Sequence, residues 1–273
     1  MAQLNVVYAN LWTAHGDEFA ALDRSLAPRS WTLLFDAAGA AGLSSQSIVA
    51  DVGCGRGNHC FELATRFGCR VVGIDLVLPP LHSAASSEER PSLVEFVQGD
   101  IEQLPIRTAS IHFVWCRDML VHVRNLEAAA RECSRILSPG GKMLAWVTIE
   151  TELMEPREAE RLYAPLAIEP KSVSRQHIEA SFESAGLTIS RKEELGSELI
   201  EFYEERDGRA SRELMRIARM RRMRDDLIAE WGKSRYETAH ALYHWVVYHL
   251  LGKLSSGFYL LNKAESGSPE LSD

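Results

Sequence analysis

The sequence predicts a doubly wound α/β fold, in which a largely parallel sheet carries helices on both faces. Short apolar runs alternate with helical patterns through the middle of the chain. Parallel neighbours cannot be joined by a tight turn, so intervening helices of this length favour right-handed crossovers between parallel strands. The predicted strands are 48–52, 70–74, 94–97, 111–116, 143–147, 188–190 and 257–262.

Composition is that of an ordinary globular protein. The 273 residues are 46% hydrophobic and 25% charged, with a formal net charge of −8, so a folded core is expected rather than disorder. The acidic balance disfavours nucleic acid as the main partner, and no apolar stretch is long enough to predict a membrane partner. Five cysteines, without a Cys-x-x-Cys pair, predict reduced thiols in a cytoplasmic protein.

Two helical regions flank the alternating pattern. The predicted organisation is an N-terminal helical lid over 1–45, a cofactor-binding core over 46–195, a helical cap with the final strand over 196–264, and a flexible tail over 265–273. An insertion before a final strand lies at the edge of the sheet. We therefore expect the lid and the cap to close over the carboxyl ends of the strands.

A glycine-rich loop follows the first predicted strand directly. Residues 51–57 read Asp-Val-Gly-Cys-Gly-Arg-Gly and are followed by a helical pattern from Cys60. Glycines let the backbone approach a ligand closely, and the helix N-terminus offers free N–H groups. A tight turn with a purely structural role would show the same sequence pattern. The nicotinamide-dinucleotide fingerprint requires a sixth-position glycine, where this chain has Asn58.

Acidic residues also end the next two strands, at Asp75 and Asp100. Each alone could be a strand-end turn former. Together with Asp51 they place three carboxylates on neighbouring strands, whose carboxyl ends line one crevice in an open parallel sheet. A carboxylate at Asp75 can accept hydrogen bonds from both hydroxyls of a ribose.

With these motifs, residues 45–195 resemble the class I S-adenosylmethionine-dependent methyltransferases. The likeness also rests on Leu-x-Pro-Gly-Gly at 137–141 and on Cys116-Arg117-Asp118 after the fourth strand. It implies a seven-stranded Rossmann-like sheet with an antiparallel last strand, and S-adenosylmethionine as cofactor. The residues that it implies for cofactor binding are Asp51, Gly53, Cys54, Gly55, Gly57, Asp75, Leu76, Asp100, Ile101, Cys116 and Arg117.

The segment from Cys116 to His122 is similar to the corresponding segment of phosphoethanolamine methyltransferases. There the equivalent histidine works with a tyrosine of the N-terminal lid, so the resemblance implies His122 and Tyr8 as the catalytic pair. The alternative for His122 is a histidine that caps or packs near the sheet edge. The phosphate-binding residues of those enzymes are not recognisable in 163–177, so a phosphobase substrate is not supported.

The acceptor pocket is expected to include Trp12, Asp118, Glu201 and Tyr203, on chain position alone. Trp12 and Tyr8 could equally anchor the N-terminal helix on the core. The two prolines that follow Leu78 should shorten or displace the helix after Asp75, which leaves the adenine contact there open.

Two further patterns have simpler interpretations. The arginines between 209 and 224 alternate with acidic residues, which is typical of a solvated helix surface with local ion pairs. His240 and His244 lie one helical turn apart, but no His-Glu-x-x-His pattern surrounds them. We interpret them as part of a packed helix and predict no metal.

The predicted function is direct in-line methyl transfer from S-adenosylmethionine to oxygen, nitrogen or carbon of a small molecule, with S-adenosylhomocysteine as product. A nicotinamide-dependent oxidoreductase would use the same sheet and Asp75. A non-catalytic cofactor-binding regulatory protein is the alternative outside enzymes. Oligomeric state is left open between monomer and homodimer.

Overall fold

The computed structural model describes residues 2–13 and 22–265. Its strands form one seven-stranded sheet in the order β3-β2-β1-β4-β5-β7-β6. The strands are β1 (Ile48–Val52), β2 (Arg70–Asp75), β3 (Val94–Gln98), β4 (Ile111–Cys116), β5 (Leu137–Glu150), β6 (Leu187–Gly196) and β7 (Leu254–Lys263).

Strand direction follows the sequence-based prediction. Neighbours among β1 to β5 pair in parallel, so their carboxyl ends lie along one edge. β7 is antiparallel to both β5 and β6, as the resemblance implies. The order reverses at β1, which has β2 on one side and β4 on the other, and this is where an open α/β sheet forms its ligand crevice.

Helices lie before, between and after these strands. They are α1 (Ala2–Thr13), α2 (Thr32–Ala40), α3 (Asn58–Phe67), α4 (Leu78–Ala85), α5 (Leu126–Ile136), α6 (Pro156–Leu166), α7 (Arg175–Ser184), α8 (Glu198–Asp207), α9 (Arg209–Arg222), α10 (Arg224–Trp231) and α11 (Lys233–Leu250). Two short 3-10 helices cover Leu120–His122 and Pro170–Val173. The predicted helical insertion before β7 is thus four helices.

The sheet has a hydrophobic core on each face. One core joins residues of β4 and β5 with α5 and α7, and includes the fully buried Leu126 and Phe182. The other packs α2 and α3 against the opposite face, around Trp115 and Trp146. Helices on both faces confirm the doubly wound architecture.

Several elements differ in length from the sequence-based expectation. β5 has 14 residues and β7 has ten, because their antiparallel register runs without interruption from Lys142 to Glu150. α4 has only eight residues, with Pro79 and Pro80 in its first turn. Prolines are tolerated in the first turn because the N–H groups there have no helical partner, so the helix can begin at these residues. The short helix agrees with the sequence-based expectation.

The N-terminal segment forms α1 and α2, but the two are placed differently. α2 buries Leu34 and Phe35 against the sheet, whereas residues 3–10 of α1 are exposed. The predicted tail falls almost wholly on 266–273, outside the described residues.

Within residues 2–13 and 22–265, no helix combines the length and the apolar character needed to cross a bilayer.

Candidate active site

The loops that follow β1, β2, β3 and β4 enclose two adjoining cavities at the carboxyl edge of the sheet. The larger has a volume of about 560 Å³ and the smaller about 320 Å³. Both are bounded by Gly53 and Met119, so these two residues form the wall where the cavities meet. We call them the larger cavity and the smaller cavity.

The glycine loop turns sharply between β1 and α3. Gly53, Gly55 and Gly57 all have positive φ, at 78°, 54° and 75°. The Gly53 N–H donates to the Ile74 carbonyl at 2.8 Å, which fixes the loop to the neighbouring strand. Gly57 lines neither cavity; a Cβ there would lie 2.6 Å from the Phe96 ring, so this glycine permits close packing against β3.

Gly53→Ala is expected to destabilise the fold by about 2 kcal/mol, part from the positive φ and part from overpacking. A Cβ on Gly53 would lie 2.5 Å from Cγ of Met119. Gly42 also has positive φ but no atom within 4 Å of a built Cβ, so Gly42→Ala isolates the backbone cost. Urea unfolding measures both variants. Equal losses in the two variants would contradict the Met119 contact. Adding Met119→Ala to Gly53→Ala should remove only part of the excess, because the Cβ at position 119 would still lie 2.7 Å from the new Cβ.

Asp75 organises the loop and lines the larger cavity. Its Oδ2 accepts from the Gly55 N–H at 2.7 Å, and its Oδ1 accepts from the Val77 N–H at 2.8 Å. A carboxylate offers about four lone-pair positions, so each oxygen can accept one more hydrogen bond. Asp75 therefore couples the shape of the glycine loop to whatever binds in the larger cavity.

The rest of the larger cavity is mainly apolar. Leu76, Val77 and Ile101 line it, and Asp100 lies at its edge beside Glu102. The Asp100 Oδ1 accepts from the Glu102 N–H at 2.9 Å, which holds the turn after β3. A flat apolar group with a few polar edges would suit these walls.

Asp51 is a buried carboxylate in the smaller cavity, with 3% of its surface exposed. Cys60 donates its thiol hydrogen to Oδ2 at 3.0 Å. Burial raises the pKa of Asp51 to about 6, because removal from water disfavours the charged form. This carboxylate would be stabilised in its ionised form by a cationic ligand.

Arg117 faces the same cavity from the loop after β4. Its guanidinium stacks over the Trp31 ring at 4.4 Å and lies 3.5 Å from Oδ2 of Asp118. Asp118 has a φ of 57°, which is unusual for a residue with a Cβ and gives the loop a sharp turn. The smaller cavity therefore combines a cationic and an anionic side chain.

His122 lines the larger cavity from the short helix that begins at Leu120. Its Nδ1 lies 3.1 Å from the carbonyl oxygen of Ala167. A carbonyl only accepts, so Nδ1 carries the proton and Nε2 keeps its lone pair in the neutral ring. That tautomer can accept a proton.

Other predicted site residues lie elsewhere. Tyr8 is 52% exposed on α1 and does not line the larger cavity. Trp12 belongs to α1, but its side chain is outside the described part of the structure. Glu201 accepts from Ser197. Tyr203 packs against the core around Trp115 and Trp146, and Arg206 and Arg209 cover its ring.

Cys116 is fully buried at the end of β4 and lines neither cavity, while Cys54 lines the smaller one. The assigned roles of these and the other predicted site residues stay predictions.

Sequence reasoning missed two cavity residues. Met119 separates the cavities. Its position three residues after Cys116, in the loop that follows β4, could have identified it as a site residue. His59 lines the smaller cavity and accepts a hydrogen bond from Trp115 Nε1 at 3.0 Å. Burial lowers the pKa of His59 to about 3, so it is neutral at physiological pH. No sequence pattern links it to Trp115, 56 positions away.

Comparison with known families identifies the core. Residues 50–145 match the family model described as a methyltransferase domain. This segment runs from β1 into β5 and contains the glycine loop, the three strand-end carboxylates and the loop that carries Arg117. The sequence-based recognition of a methyltransferase domain is thereby confirmed for these residues.

Curated relatives cover part of the chain. A sterol 24-C-methyltransferase of Pneumocystis carinii (strain B80) is 26% identical over 195 residues, which are 66% of this chain and 52% of that protein. The ubiquinone biosynthesis O-methyltransferase of Escherichia coli O7:K1 (strain IAI39 / ExPEC) is 33% identical over 143 residues, 52% of this chain and 57% of the relative. The chain thus spans about half the length of these relatives.

Solved structures share the whole fold. Phosphoethanolamine N-methyltransferase 2 of Haemonchus contortus superposes with a TM-score of 0.66 at 17% identity, covering 88% of this chain and 55% of that one. At this identity the likeness concerns architecture. It confirms the predicted methyltransferase-type α/β fold over most of the chain.

Proposed function

We propose that this protein is an S-adenosylmethionine-dependent methyltransferase that methylates a small molecule by direct in-line transfer. The observation that carries the proposal is the pair of adjoining cavities, one apolar with Asp75 at its wall, the other holding Asp51 and Arg117. The match of residues 50–145 to a methyltransferase domain supports it. The glycine spacing argues against a nicotinamide cofactor.

The residues present fit the chemical parts of this cofactor. Asp51 can accept from an α-ammonium group and Arg117 can donate to an α-carboxylate, so the smaller cavity suits an amino-acid zwitterion. Asp75 can accept from the ribose hydroxyls. The apolar walls formed by Leu76, Val77 and Ile101 suit an adenine ring.

Positioning is the main task of the protein in such a reaction. When bound, S-adenosylmethionine supplies an electrophilic methyl group on a sulfonium. Asp75, in the larger cavity, and Asp51 and Arg117, in the smaller one, would hold the two ends of the cofactor. Fixing two reactants in line can contribute about 7–11 kcal/mol to lowering the barrier.

Cofactor affinity should fall below pH 6 because of Asp51. The pKa of Asp51 is raised to about 6, so the free protein holds this proton below that pH. A cationic cofactor favours the carboxylate, hence affinity is full near pH 7 and falls up to about tenfold per pH unit below 6. Isothermal titration between pH 5 and 7 measures this dependence. Asp51→Asn should bind more weakly with a flat profile, and a flat wild-type profile would contradict the assignment.

His122 is our candidate for the group that accepts a proton from the acceptor. A hydroxyl or a protonated amine must lose a proton during transfer. His122 lines the larger cavity, and its contact with Ala167 leaves the lone pair of the neutral ring on Nε2. A neutral amine needs no such base. The side chains proposed to contact the methyl acceptor are Asp118 and, after closure of α1 over the cavity, Tyr8 and Trp12.

The lid and cap remain part of this proposal. α1 exposes Leu4, Val6 and Val7, and the rim of the larger cavity exposes Leu76 and Val77. Apposition of these apolar surfaces would cover the cavity and exclude water. Glu201 and Tyr203, on α8 of the cap, are proposed to shape the acceptor pocket. The proposed boundaries between lid, core, cap and tail lie at about residues 45, 195 and 264.

Cofactor titration tests the binding half of the proposal. We expect S-adenosylmethionine and S-adenosylhomocysteine to bind, and NADH to bind far more weakly, in isothermal titration. Preference for NADH would overturn the methyltransferase assignment.

Methyl transfer tests the catalytic half. The protein is incubated with methyl-labelled cofactor and pooled metabolites, and label is expected in a small-molecule fraction. Cofactor binding without transfer over a broad panel would favour a regulatory protein. Transfer to RNA in the same assay, suppressed by salt, would instead favour a nucleic-acid acceptor.

A further inference from the structure

A separate cavity of about 650 Å³ lies between α6 and α11, beside the end of α9. It shares no lining residue with the larger or the smaller cavity. The proposed methyl transfer therefore gives it no role. We call it the helical cavity.

A histidine pair forms one wall of the helical cavity. The rings of His240 and His244 lie with centroids 4.2 Å apart. His244 donates from Nδ1 to the His240 carbonyl at 2.7 Å, so its Nε2 has a lone pair, and Nη2 of Arg221 lies 3.5 Å from that atom. Burial lowers the pKa of both rings, that of His240 to about 4, so both are neutral near pH 7.

Nε2 of His240 is unsatisfied. Among residues 2–13 and 22–265 it is the one buried side-chain nitrogen or oxygen without a hydrogen-bond partner. Buried polar atoms normally have partners, because an unpaired one costs about 1–3 kcal/mol. The atom itself has almost no exposed surface, so a molecule in the adjacent cavity could pair with it only if the His240 ring turned.

Three carboxylates and two arginines line the helical cavity, and two of the carboxylates are paired with lysines. Glu158 is engaged by Lys253 and Tyr248, and Glu237 lies 3.7 Å from Lys233. The third carboxylate, Glu160, is exposed. Arg161 and Arg221 line the cavity, and within the described part of the chain neither has a carboxylate within 4 Å.

The two arginines line the same cavity as the Tyr248 ring. Arg221 also lies at the histidine pair, with its Nη2 3.5 Å from Nε2 of His244. In the described part of the chain, the cavity therefore holds two arginines without a carboxylate partner, one of them beside a neutral imidazole ring.

We propose that the helical cavity binds a small molecule through an anionic group, a carboxylate or a phosphate. Arg161 and Arg221 hold the charge, and the N–H of the neutral His240 ring supplies a further hydrogen bond once the ring turns toward the cavity. Arginine suits such a group because its planar fork matches two oxygens at once. The aromatic rings of Tyr236 and Tyr248 line the cavity around the body of the ligand.

A metal ion fits less well. No cluster of three or more His, Cys, Asp or Glu able to hold a metal occurs among the residues that the structure describes. In addition, the free nitrogen of His244 faces a guanidinium. Cation repulsion there opposes a metal and favours an anion.

Histidine NMR of the full chain tests the proposal with two probes, inorganic phosphate and benzoate. We expect saturable shifts of the His240 and His244 ring signals with at least one probe, with potassium chloride at equal ionic strength as reference. Saturation by phosphate alone identifies a phosphate ligand, and saturation by benzoate alone a carboxylate. Ring signals are assigned with His240→Gln and His244→Gln.

Arg221→Gln should weaken probe binding at least tenfold, and Arg161→Gln should act in the same direction. The matched control is Arg222→Gln, because Arg222 is the next residue, is exposed and does not line the cavity. Equal binding by Arg221→Gln, equal shifts with chloride, or no saturable shift with either probe would overturn the proposal. S-adenosylmethionine affinity should be unchanged in Arg221→Gln, so this test does not depend on the proposed function.

Discussion

His122→Gln is expected to lower the turnover number of methyl transfer by about 10²–10⁴-fold, the usual contribution of a positioned acid or base. The expected loss of turnover follows from the tautomer of the His122 ring. The Ala167 carbonyl fixes the proton on Nδ1, so the lone pair of the neutral ring is on Nε2, in a residue that lines the larger cavity. Glutamine retains a hydrogen-bonding side chain but has no basic nitrogen, so the proton would lose its acceptor. Steady-state kinetics with the acceptor found by labelled transfer measures the change.

Two further measurements separate a base from a structural residue. Cofactor affinity of His122→Gln should stay within a factor of two, since cofactor contacts are proposed for other residues. His82→Gln is the matched control, because His82 is exposed on α4 and lines neither cavity. A turnover number equal to that of wild type would contradict the base, and a loss of folding stability without a change in the pH profile of turnover would assign His122 a structural role.

Most of the sheet could be predicted because the local sequence pattern identifies where its strands lie. β1 and β4 are short apolar runs bounded by polar residues, and the glycine loop after β1 marks the turn into α3. The ten-residue length of β6 could not be predicted in the same way. Residues 190–194 are largely polar, and pairing with β7 rather than local pattern extends that strand.

The carboxylates of the site were predictable for a topological reason. Asp51, Asp75 and Asp100 lie at or just beyond the carboxyl ends of three neighbouring strands, and parallel pairing gathers such ends at one edge of the sheet. Their environments were not predictable. Asp51 is buried and receives a thiol hydrogen from Cys60, whereas Asp75 accepts from two backbone amides. These differences arise from packing across the loop and have no counterpart in the local sequence.

Long-range contacts set the remaining features. The pairing of His122 with Ala167 spans 45 positions, and Arg117 stacks on Trp31 from a different element. The position of Tyr8 also depends on tertiary packing, because the sequence of α1 does not specify which surface the helix contacts. Motif spacing in the sequence predicted the class of cofactor. The shape of the acceptor pocket depends on long-range contacts, which motif spacing does not reveal.

Asp75→Ala is expected to weaken binding of S-adenosylhomocysteine by about 3 kcal/mol, or about 150-fold, through loss of charge-assisted hydrogen bonds. Two effects contribute. The ribose hydroxyls lose their proposed acceptor, and the Gly55 and Val77 amides lose the carboxylate oxygens that now hold the loop. Isothermal titration gives the affinity, and urea unfolding shows whether the variant is folded. Asp36→Ala, at an exposed position of α2, controls for removal of a carboxylate.

The 2′-deoxy form of the same ligand separates the two effects. If Asp75 contacts the ribose, wild type should bind the deoxy ligand more weakly, whereas Asp75→Ala should bind both ligands alike, because the missing hydroxyl no longer has a partner. If Asp75 acts only by holding Gly55 and Val77, the penalty for the deoxy ligand should be the same in both proteins. That second outcome would overturn the ribose contact while preserving the role of Asp75 in shaping the glycine loop.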